Sequence, residues 1–216
     1  MNVFAVVPVK GLKDSKRRLS KVFAPENRRA LTTAMLEDVL GALKGSSIQK
    51  VLVVSPDSEV GQIADRFGFS CLSPRHAGLN PALKEGVAWC MKRSADAVLV
   101  LPADIPLVGS EDIDRLVEFG SEKSTVVLSP SMSGGTNALF LNPPNLISPC
   151  FGPKSFFSHV EEAIERDVAI KFYSSKEIML DVDSEDDLKK MTEMKKCFGP
   201  RRVFRQIALL EESSQT

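Results

Sequence analysis

The stretch VFAVVPVKGLKDSKRRLS spans residues 3–20. It begins with a short apolar run, Val3–Val7, which predicts a buried β-strand. The chain then enters a loop that carries five cationic side chains, and Pro25 opens a long amphipathic segment that predicts a helix. Open α/β sheets bind their ligands at the carboxyl ends of their strands. A cationic loop at that position therefore predicts a site for a ligand that bears phosphate groups.

Length and composition limit the classes of protein that fit. The chain has 216 residues, which suits one α/β domain with a small appendage. Its 28 Lys and Arg residues balance 28 Asp and Glu residues, whereas nucleic-acid binders carry a net basic face. No segment approaches the ~20 apolar residues of a membrane span, and no signal-peptide pattern begins the chain. Four well-separated cysteines are typical of a reducing compartment. We expect a cytoplasmic protein with neither a nucleic-acid nor a membrane partner.

Strand-like and helix-like segments alternate along the whole chain. The run Ala97–Leu101 is apolar throughout, which indicates a strand covered on both faces. Asn80 followed by Pro81 predicts the N-cap and first turn of a helix. A further strand is predicted at Ile178–Val182, and Ser184–Asp187 has the pattern of a capping box. The alternation predicts a three-layer α/β/α fold around a mixed, mostly parallel sheet.

The end of the chain differs from the rest. We predict one domain over residues 1–196 and a C-terminal tail over residues 197–216. The tail contains apolar residues such as Val203, Phe204 and Leu210. These residues need a partner surface, either on the same domain or on a second subunit.

The basic loop matches no common phosphate-binding motif. It lacks the GxxxxGK[ST] pattern of a P-loop and the GxGxxG pattern of a Rossmann turn. Lys10, Lys16 and Arg18 would neutralise a triphosphate, and Gly11 would let the backbone approach it. The alternative is a solvated charge run before a helix. The position of the loop after the first strand favours the binding site.

Carboxylates recur at two points that suit a divalent cation. Asp104 follows the apolar strand between Pro102 and Pro106, so it would face the crevice at the carboxyl end of the sheet. Mg²⁺ is commonly held by one or two carboxylates together with phosphate oxygens. Asp181 and Asp183 share one face of their predicted strand, and either would supply a second carboxylate. Asp183 is alternatively the N-cap of the following helix.

Three further segments have both a binding and a structural interpretation. Gly134–Gly135 either approaches a ligand closely or forms an ordinary hairpin turn. Ser155 opens a predicted helix whose first N–H groups would face an anion. The segment Gly78–Leu83 either contacts a base or ribose or is a plain capped helix start. His159 lies one turn beyond Ser155, so it lines the same site or is a surface residue.

Taken together, six segments resemble a known family. They are Pro8-Val9-Lys10 with Lys16, Arg18, Leu19 and Ser20; Gly78–Asn80 with Ala82 and Leu83; Pro102–Leu107; Gly134–Leu139; Phe151 and Gly152 with Ser155, Phe156 and His159; and Asp181–Asp183 with Asp187 and Leu188. From Val3 to about Met191 the chain is similar to the 2-phospho-L-lactate guanylyltransferases of the deazaflavin coenzyme F-420 pathway. These are nucleotidyltransferases with a GT-A-like fold, also called nucleotide-diphospho-sugar-transferase-like.

The resemblance implies roles for particular residues of this chain. The implied nucleotide-binding residues are Pro8, Val9, Lys10, Gly11, Lys16, Arg18, Gly78 and Asn80. The implied acceptor-binding residues are Thr136, Gly152 and Ser155. Asp104 with Asp183 or Asp181 would hold Mg²⁺. Lys16, Arg18 and Asp104 would act in catalysis.

The resemblance also implies a reaction. GTP would condense with (2S)-2-phospholactate to give lactyl-2-diphospho-5'-guanosine and pyrophosphate. Some relatives use phosphoenolpyruvate or 3-phosphoglycerate as the phosphorylated three-carbon acid. The alternatives are another nucleotidyltransferase of this fold, acting on a molybdopterin or a sugar phosphate, and a non-catalytic nucleotide-binding protein. A homodimer is expected from the family and from the apolar tail.

Overall fold

The computed structural model describes residues 1–12, 15–195 and 199–213. Within these ranges the strands are β1 (Val3–Pro8), β2 (Lys50–Val54), β3 (Ser70–Leu72), β4 (Ala97–Val100), β5 (Thr125–Pro130), β6 (Thr136–Asn142) and β7 (Ala169–Phe172). The helices are α1 (Pro25–Lys44), α2 (Ser58–Phe67), α3 (Leu79–Met91), α4 (Ser110–Phe119), α5 (Ser155–Glu165), α6 (Lys176–Met179), α7 (Glu185–Met194) and α8 (Arg202–Ser213). None of these helices combines the length and the hydropathy that a membrane crossing requires.

The seven strands form one mixed sheet in the order β3-β2-β1-β4-β6-β5-β7. Every neighbouring pair is parallel except the two pairs that involve β6. Ala5 in β1 pairs with Val51 of β2 on one side and with Leu99 of β4 on the other. The strand order therefore reverses at β1. In such sheets the crevice at this reversal, beyond the carboxyl ends of the strands, is the usual ligand site.

Helices cover both faces of the sheet, which confirms the predicted three-layer fold. Val3–Val7 are at most 1% exposed, and burying a Val or Phe side chain contributes roughly 1.5–3 kcal/mol. Val3, Ala5 and Val7 share a cluster with residues of α1, α2 and α4. Phe4 and Val6 share a cluster with residues of α3 and α5 on the other face. Because its side chains point alternately to the two faces of the sheet, β1 packs against both helical layers.

The C-terminal helix packs on the domain itself. α8 lies against α1, and Val203, Phe204, Ile207 and Leu210 are buried. The carboxylate of Asp38 in α1 accepts hydrogen bonds from the first N–H groups of α8. These four apolar residues are thereby covered without a second subunit, whereas Leu209 is exposed, and a homodimer stays a prediction. The predicted domain boundary at residue 196 lies outside the described residues.

The predicted strand Ile178–Val182 is wrong. α6 ends at Met179, and residues 180–183 belong to none of the described strands. The segment is held by a hydrogen bond from the Val182 N–H to the Asp104 carbonyl oxygen at 2.9 Å. Leu180 and Val182 are buried while their neighbours are partly exposed, so the alternation arises from packing without a sheet partner. The strand in this part of the chain is β7, which pairs with β5.

The predicted N-cap at Asn80 is wrong as well. α3 begins at Leu79, and its N-cap is Gly78 with a φ of 106°. That backbone conformation favours glycine, because a β-carbon would be strained there. Asn80 therefore lies in the first turn of the helix, and its side chain is available for another role.

Gly86 sets how closely α3 approaches the sheet. A β-carbon at Gly86 would lie 2.8 Å from Cγ1 of Val6 and 3.0 Å from Cγ2 of Val54. We expect Gly86→Ala to lower the free energy of unfolding by about 1–3 kcal/mol, because the packed core resists overfilling. Gly41→Ala in α1 is the matched control, since its β-carbon would meet only the Arg202 side chain at 3.9 Å. Urea unfolding of both variants tests this; a stabilising Gly86→Ala would contradict it.

Candidate functional site

A cleft of about 680 Å³ opens at the carboxyl ends of β1 and β4, where the strand order reverses. Its volume is in the range of small-molecule sites. The residues that line it are Pro8, Val9, Lys10, Gly11, Ser15, Lys16, Arg17, Arg18, Thr32, Leu79, Pro102, Ala103, Asp104, Phe151 and Asp183. Cations come from the loop after β1, and carboxylates come from the segments after β4 and before α7.

Asp57 fixes the basic loop to the neighbouring part of the sheet. One of its carboxylate oxygens accepts from the Leu12 N–H at 2.9 Å, and the other accepts from the Glu59 N–H at 3.0 Å. The same side chain therefore caps α2 and orients the loop. Further along, Ser15 Oγ lies 2.9 Å from Thr32 Oγ1 in α1. The loop is thus attached to two helices before it turns into the cleft.

Lys16 turns its side chain inward and joins the two carboxylates. Its backbone is left-handed, with a φ of 50°, and the next three residues form a 3-10 turn that buries Leu19. The Lys16 side chain is 7% exposed, and its Nζ lies 2.9 Å from Asp104 Oδ2 and 2.6 Å from Asp183 Oδ1. A buried ammonium is tolerated only when it is paired. The two carboxylates supply that pairing.

The pKa shifts follow from this arrangement. Burial alone lowers the pKa of Lys16, but the charges of Asp104 and Asp183 outweigh burial and raise it above its ordinary value. Burial raises the pKa of Asp183, whereas Lys16, Arg18 and Lys10 lower it, and the net pKa is below the ordinary value. Both shifts favour the charged forms of Lys16 and Asp183.

Asp181 belongs to the same group of carboxylates. Burial, followed by the negative charges of Asp104 and Asp183, raises the pKa of Asp181. The nearby Asn137 amide lowers this pKa and donates to the Ile178 carbonyl oxygen at 2.8 Å. The predicted capping box is confirmed with Ser184 as the N-cap. Asp183 is therefore not the N-cap, and its carboxylate faces Lys16 instead.

Thr136, Ser155 and His159 form a buried cluster at the starts of β6 and α5. Ser155 Oγ donates to Thr136 Oγ1 at 3.1 Å, and Nδ1 of His159 lies 3.0 Å from the same oxygen. His159 Nε2 accepts from the Cys150 N–H at 3.0 Å. His159 is fully buried, and burial lowers its pKa to about 4. The imidazole is therefore neutral at physiological pH.

Asn80 connects this cluster to the cleft. Its Oδ1 accepts from the Phe151 N–H at 2.7 Å, and its Nδ2 donates to the Phe151 carbonyl oxygen at 3.1 Å. Phe151 lines the cleft. Its ring packs edge to face against the His159 ring, with 5.4 Å between the ring centroids. Asn80 thus fixes the loop before Gly152.

The structure divides the predicted site residues into two groups. Those that line the cleft are Pro8, Val9, Lys10, Gly11, Lys16, Arg18, Asp104 and Asp183. Those that stand behind or beside it are Gly78, Asn80, Thr136, Gly152, Ser155 and Asp181. Sequence reasoning did not identify Thr32, and it assigned no role to Asn137, which lies in the segment Gly134–Leu139. Thr32 lies within the regular pattern of α1, and nothing in that pattern distinguishes it from a packing residue.

Comparison with known sequences assigns the chain to a family. Residues 3–198 match the family described as guanylyl transferase CofC like. A phosphoenolpyruvate guanylyltransferase of Rubrobacter xylanophilus is 42% identical over 88% of this chain and 94% of the relative. A 2-phospho-L-lactate guanylyltransferase of Methanothermobacter thermautotrophicus is 38% identical over 87% of this chain and 83% of the relative. The chain belongs to this guanylyl transferase family, as the sequence motifs indicated.

Solved structures agree on the fold. A structure from Desulfovibrio desulfuricans G20, described as a candidate nucleotide-diphospho-sugar transferase, superposes with a TM-score of 0.82 and covers 98% of this chain and 97% of its own. CMP:2-keto-3-deoxy-manno-octonic acid synthetase in complex with CTP gives a TM-score of 0.61 over 92% of this chain and all of its own. Their sequence identities are 15% and 13%. The predicted fold class is confirmed, and the guanylyl transferase relatives show that the chain is a nucleotidyltransferase.

Burial of His159 predicts an acid-sensitive fold. The folded state holds the His159 pKa at about 4, whereas the ordinary value is 6.5, so the unfolded chain binds this proton first as pH falls. Above pH 6.5 the neutral imidazole makes its full contribution to the free energy of unfolding. As the pH falls from 6.5 to 4, this contribution is lost, and the free energy of unfolding decreases by about 3 kcal/mol. Urea unfolding across this range should show a shallower pH dependence for His159→Gln than for the unsubstituted protein. Parallel profiles would contradict the prediction.

Proposed function

We propose that this nucleotidyltransferase transfers the guanylyl group of GTP to a small phosphorylated three-carbon acid and releases pyrophosphate. The acceptor is 2-phospholactate or phosphoenolpyruvate, and the product serves the synthesis of coenzyme F-420. The names of the two relatives support both acceptors, since their identities to this chain are 42% and 38%. 3-Phosphoglycerate is a third candidate, carried over from the family resemblance.

The observation that carries the proposal is the pairing of Lys16 with Asp104 and Asp183 beside the basic loop. The loop cations suit a triphosphate, because Lys10 and Arg18 share the cleft with Lys16. Carboxylates facing a polyphosphate would repel it unless cations stand between them. A cleft that is lined by both cations and carboxylates therefore suits a nucleoside triphosphate bound with a divalent cation.

The carboxylates fit Mg²⁺. The Lys16 ammonium shows that a cation can be held between these carboxylates. Its Nζ donates to one oxygen of Asp104 at 2.9 Å and to one oxygen of Asp183 at 2.6 Å. In the described part of the chain no three acidic, thiol or imidazole groups enclose a common point. The protein thus offers a partial ligand set that phosphate oxygens would complete, as Mg²⁺ prefers. We assign Asp104 and Asp183 as ligands, with Asp181 beside them. When bound, Mg²⁺ would neutralise phosphate charge.

The chemistry requires no general base. A phosphate monoester is already anionic near pH 7, so its oxygen attacks the α-phosphorus of GTP while the bond to the leaving pyrophosphate breaks. Lys16, Lys10 and Arg18 would offset the negative charge that develops on the pyrophosphate. The backbone at Pro8, Val9 and Gly11 would follow the nucleotide along the cleft wall. The enzyme thus acts by positioning and charge neutralisation.

The acceptor would bind at the other end of the site. Thr136 and Ser155 present hydroxyl groups at the starts of β6 and α5, and Gly152 has a φ of 145° that only glycine adopts readily. The Asn80 bridge to Phe151 holds this loop beside the nucleotide cleft. The Ser155 hydroxyl donates to Thr136, so the Thr136 hydroxyl is the donor that suits a carboxylate or phosphate group here.

Removing one carboxylate tests the metal assignment. We expect Asp104→Asn to reduce Mg²⁺-dependent pyrophosphate release from GTP and acceptor by at least about a hundredfold, because the loss falls on charge stabilisation in the transition state. Asp65→Asn is the matched control, since Asp65 is exposed on α2. Thermal unfolding would verify that both variants fold. Turnover of Asp104→Asn near that of the unsubstituted enzyme would overturn the assignment.

A panel of acceptors tests the substrate class. Pyrophosphate release with GTP is measured against 2-phospholactate, phosphoenolpyruvate and 3-phosphoglycerate, with lactate as the control that lacks a phosphate. We expect turnover with at least one phosphorylated acid and none with lactate, because the attacking atom is a phosphate oxygen. GTP is compared with ATP and CTP on the best acceptor. Failure of all three phosphorylated acids would reject the proposed reaction.

A further inference from the structure

The hydrogen-bond directions around His159 are fixed by one backbone group. A main-chain N–H can only donate, and that of Cys150 points at Nε2 of His159 from 3.0 Å. Nε2 must therefore carry a lone pair and no proton. The ring is fully buried and neutral, so its single proton lies on Nδ1.

This tautomer determines the direction of the next hydrogen bond. Nδ1 lies 3.0 Å from Thr136 Oγ1 and, being protonated, donates to it. Ser155 Oγ donates to the same oxygen at 3.1 Å. A hydroxyl oxygen accepts two hydrogen bonds through its two lone pairs. Both lone pairs of Thr136 are therefore used within the protein.

The Thr136 hydroxyl proton is then left for a ligand. No acceptor for it is found among residues 1–12, 15–195 and 199–213. Thr136 is buried, with 5% of its surface exposed, so the hydroxyl proton lies in an environment that contains little water. A hydroxyl group whose oxygen accepts two hydrogen bonds is polarised, and its own O–H becomes a stronger donor. Its natural partner is an anionic oxygen.

We propose that His159 is a positioning residue which, through its Nδ1–H, fixes the Thr136 hydroxyl as an obligatory hydrogen-bond donor to an anionic group of the acceptor. This inference rests on the proposed function, because it concerns the acceptor end of the same site. It predicts that the site selects acceptors with an oxyanion at this position. An ester or amide at the same position would still accept the hydrogen bond but would lose its charge-assisted part.

His159 also holds the loop that borders the acceptor. Its Nε2 fixes Cys150, its ring contacts Phe151, and the next residue is Gly152, whose carbonyl oxygen accepts from the Ser155 N–H at 3.1 Å. One imidazole therefore orients both a side-chain donor on β6 and the glycine loop before α5. Loss of the imidazole should affect the acceptor and spare GTP, whose cleft lies beyond Phe151.

The tautomer is measurable without any substrate. The chain has only 2 histidines, so His76→Gln, made without a polyhistidine tag, leaves His159 as the one imidazole signal. Two-bond ¹H–¹⁵N correlations of the ring then identify the protonated nitrogen. We expect Nδ1 to be protonated and Nε2 to be unprotonated at pH 7. A proton on Nε2, or on both nitrogens, would overturn the inference whatever the enzyme's acceptor is.

Paired variants separate positioning from simple stability. Thr136→Val removes the donor and Thr136→Ser keeps it. His159→Gln places its amide near the Nε2 position, whereas His159→Asn places an N–H near the Nδ1 position. We expect the acceptor KM to rise about tenfold or more in Thr136→Val and His159→Gln, corresponding to one charge-assisted hydrogen bond. Smaller rises are expected in Thr136→Ser and His159→Asn, with the KM for GTP unchanged within about twofold in all four.

The outcomes distinguish this inference from the proposed function. If no phosphorylated acid is turned over by the unsubstituted enzyme, the proposed reaction fails while the tautomer result still stands or falls by itself. If the enzyme is active but Thr136→Val keeps the acceptor KM, the role of Thr136 as donor is rejected. If His159→Gln raises the KM for GTP and for the acceptor equally, a general structural role replaces the positioning role.

Discussion

The Lys16 ammonium between Asp104 and Asp183 is the interaction on which the site depends. It joins three segments that are far apart in the chain: the loop after β1, the loop after β4 and the residues before α7. A buried charge is costly unless it is paired, so each segment constrains the positions of the other two. The left-handed backbone at Lys16 and the buried Leu19 behind it hold the lysine in this position. The strand reversal at β1 brings the three segments to one crevice.

The sequence predicted best where the signal is local. The apolar run Val3–Val7, the helix Pro25–Lys44 and the capping box at Ser184 each depend on a few neighbouring residues, and each was found as predicted. The predicted strand Ile178–Val182 was wrong, because Leu180 and Val182 pack against α1, α7 and α8. This packing gives the same alternation of buried and partly exposed residues as a strand in a sheet. β7 was missed because it is a short edge strand with exposed ends. A strand forms by hydrogen bonding to a neighbouring strand, and a local sequence pattern does not show which distant segment that neighbour is.

The candidate site was predictable in its parts and not in its connections. Lys16, Asp104 and Asp183 were each identified as charged residues at strand ends, but their direct pairing spans 88 and 167 positions of the chain. Asn80 followed by proline looks like a helix cap, and only the tertiary structure brings Phe151 to its amide. His159 is ambiguous in sequence because its importance lies in the direction of two hydrogen bonds. Such directions exist only once the backbone of Cys150 is in place.

The antiparallel strand β6 has a consequence for how such enzymes diversify. Because β6 runs against β4, Val100 pairs with Leu139, and the beginning of β6 lies at the edge where β4 ends. In the proposed assignment, Thr136 would meet the acceptor from the hairpin between β5 and β6, while loops that leave β1 and β4 would meet the nucleotide. The hairpin can change its length and side chains without moving the strands that carry the cations and carboxylates. Under the proposed function, acceptor choice would depend on this hairpin, and nucleotide chemistry would depend on the loops after β1 and β4.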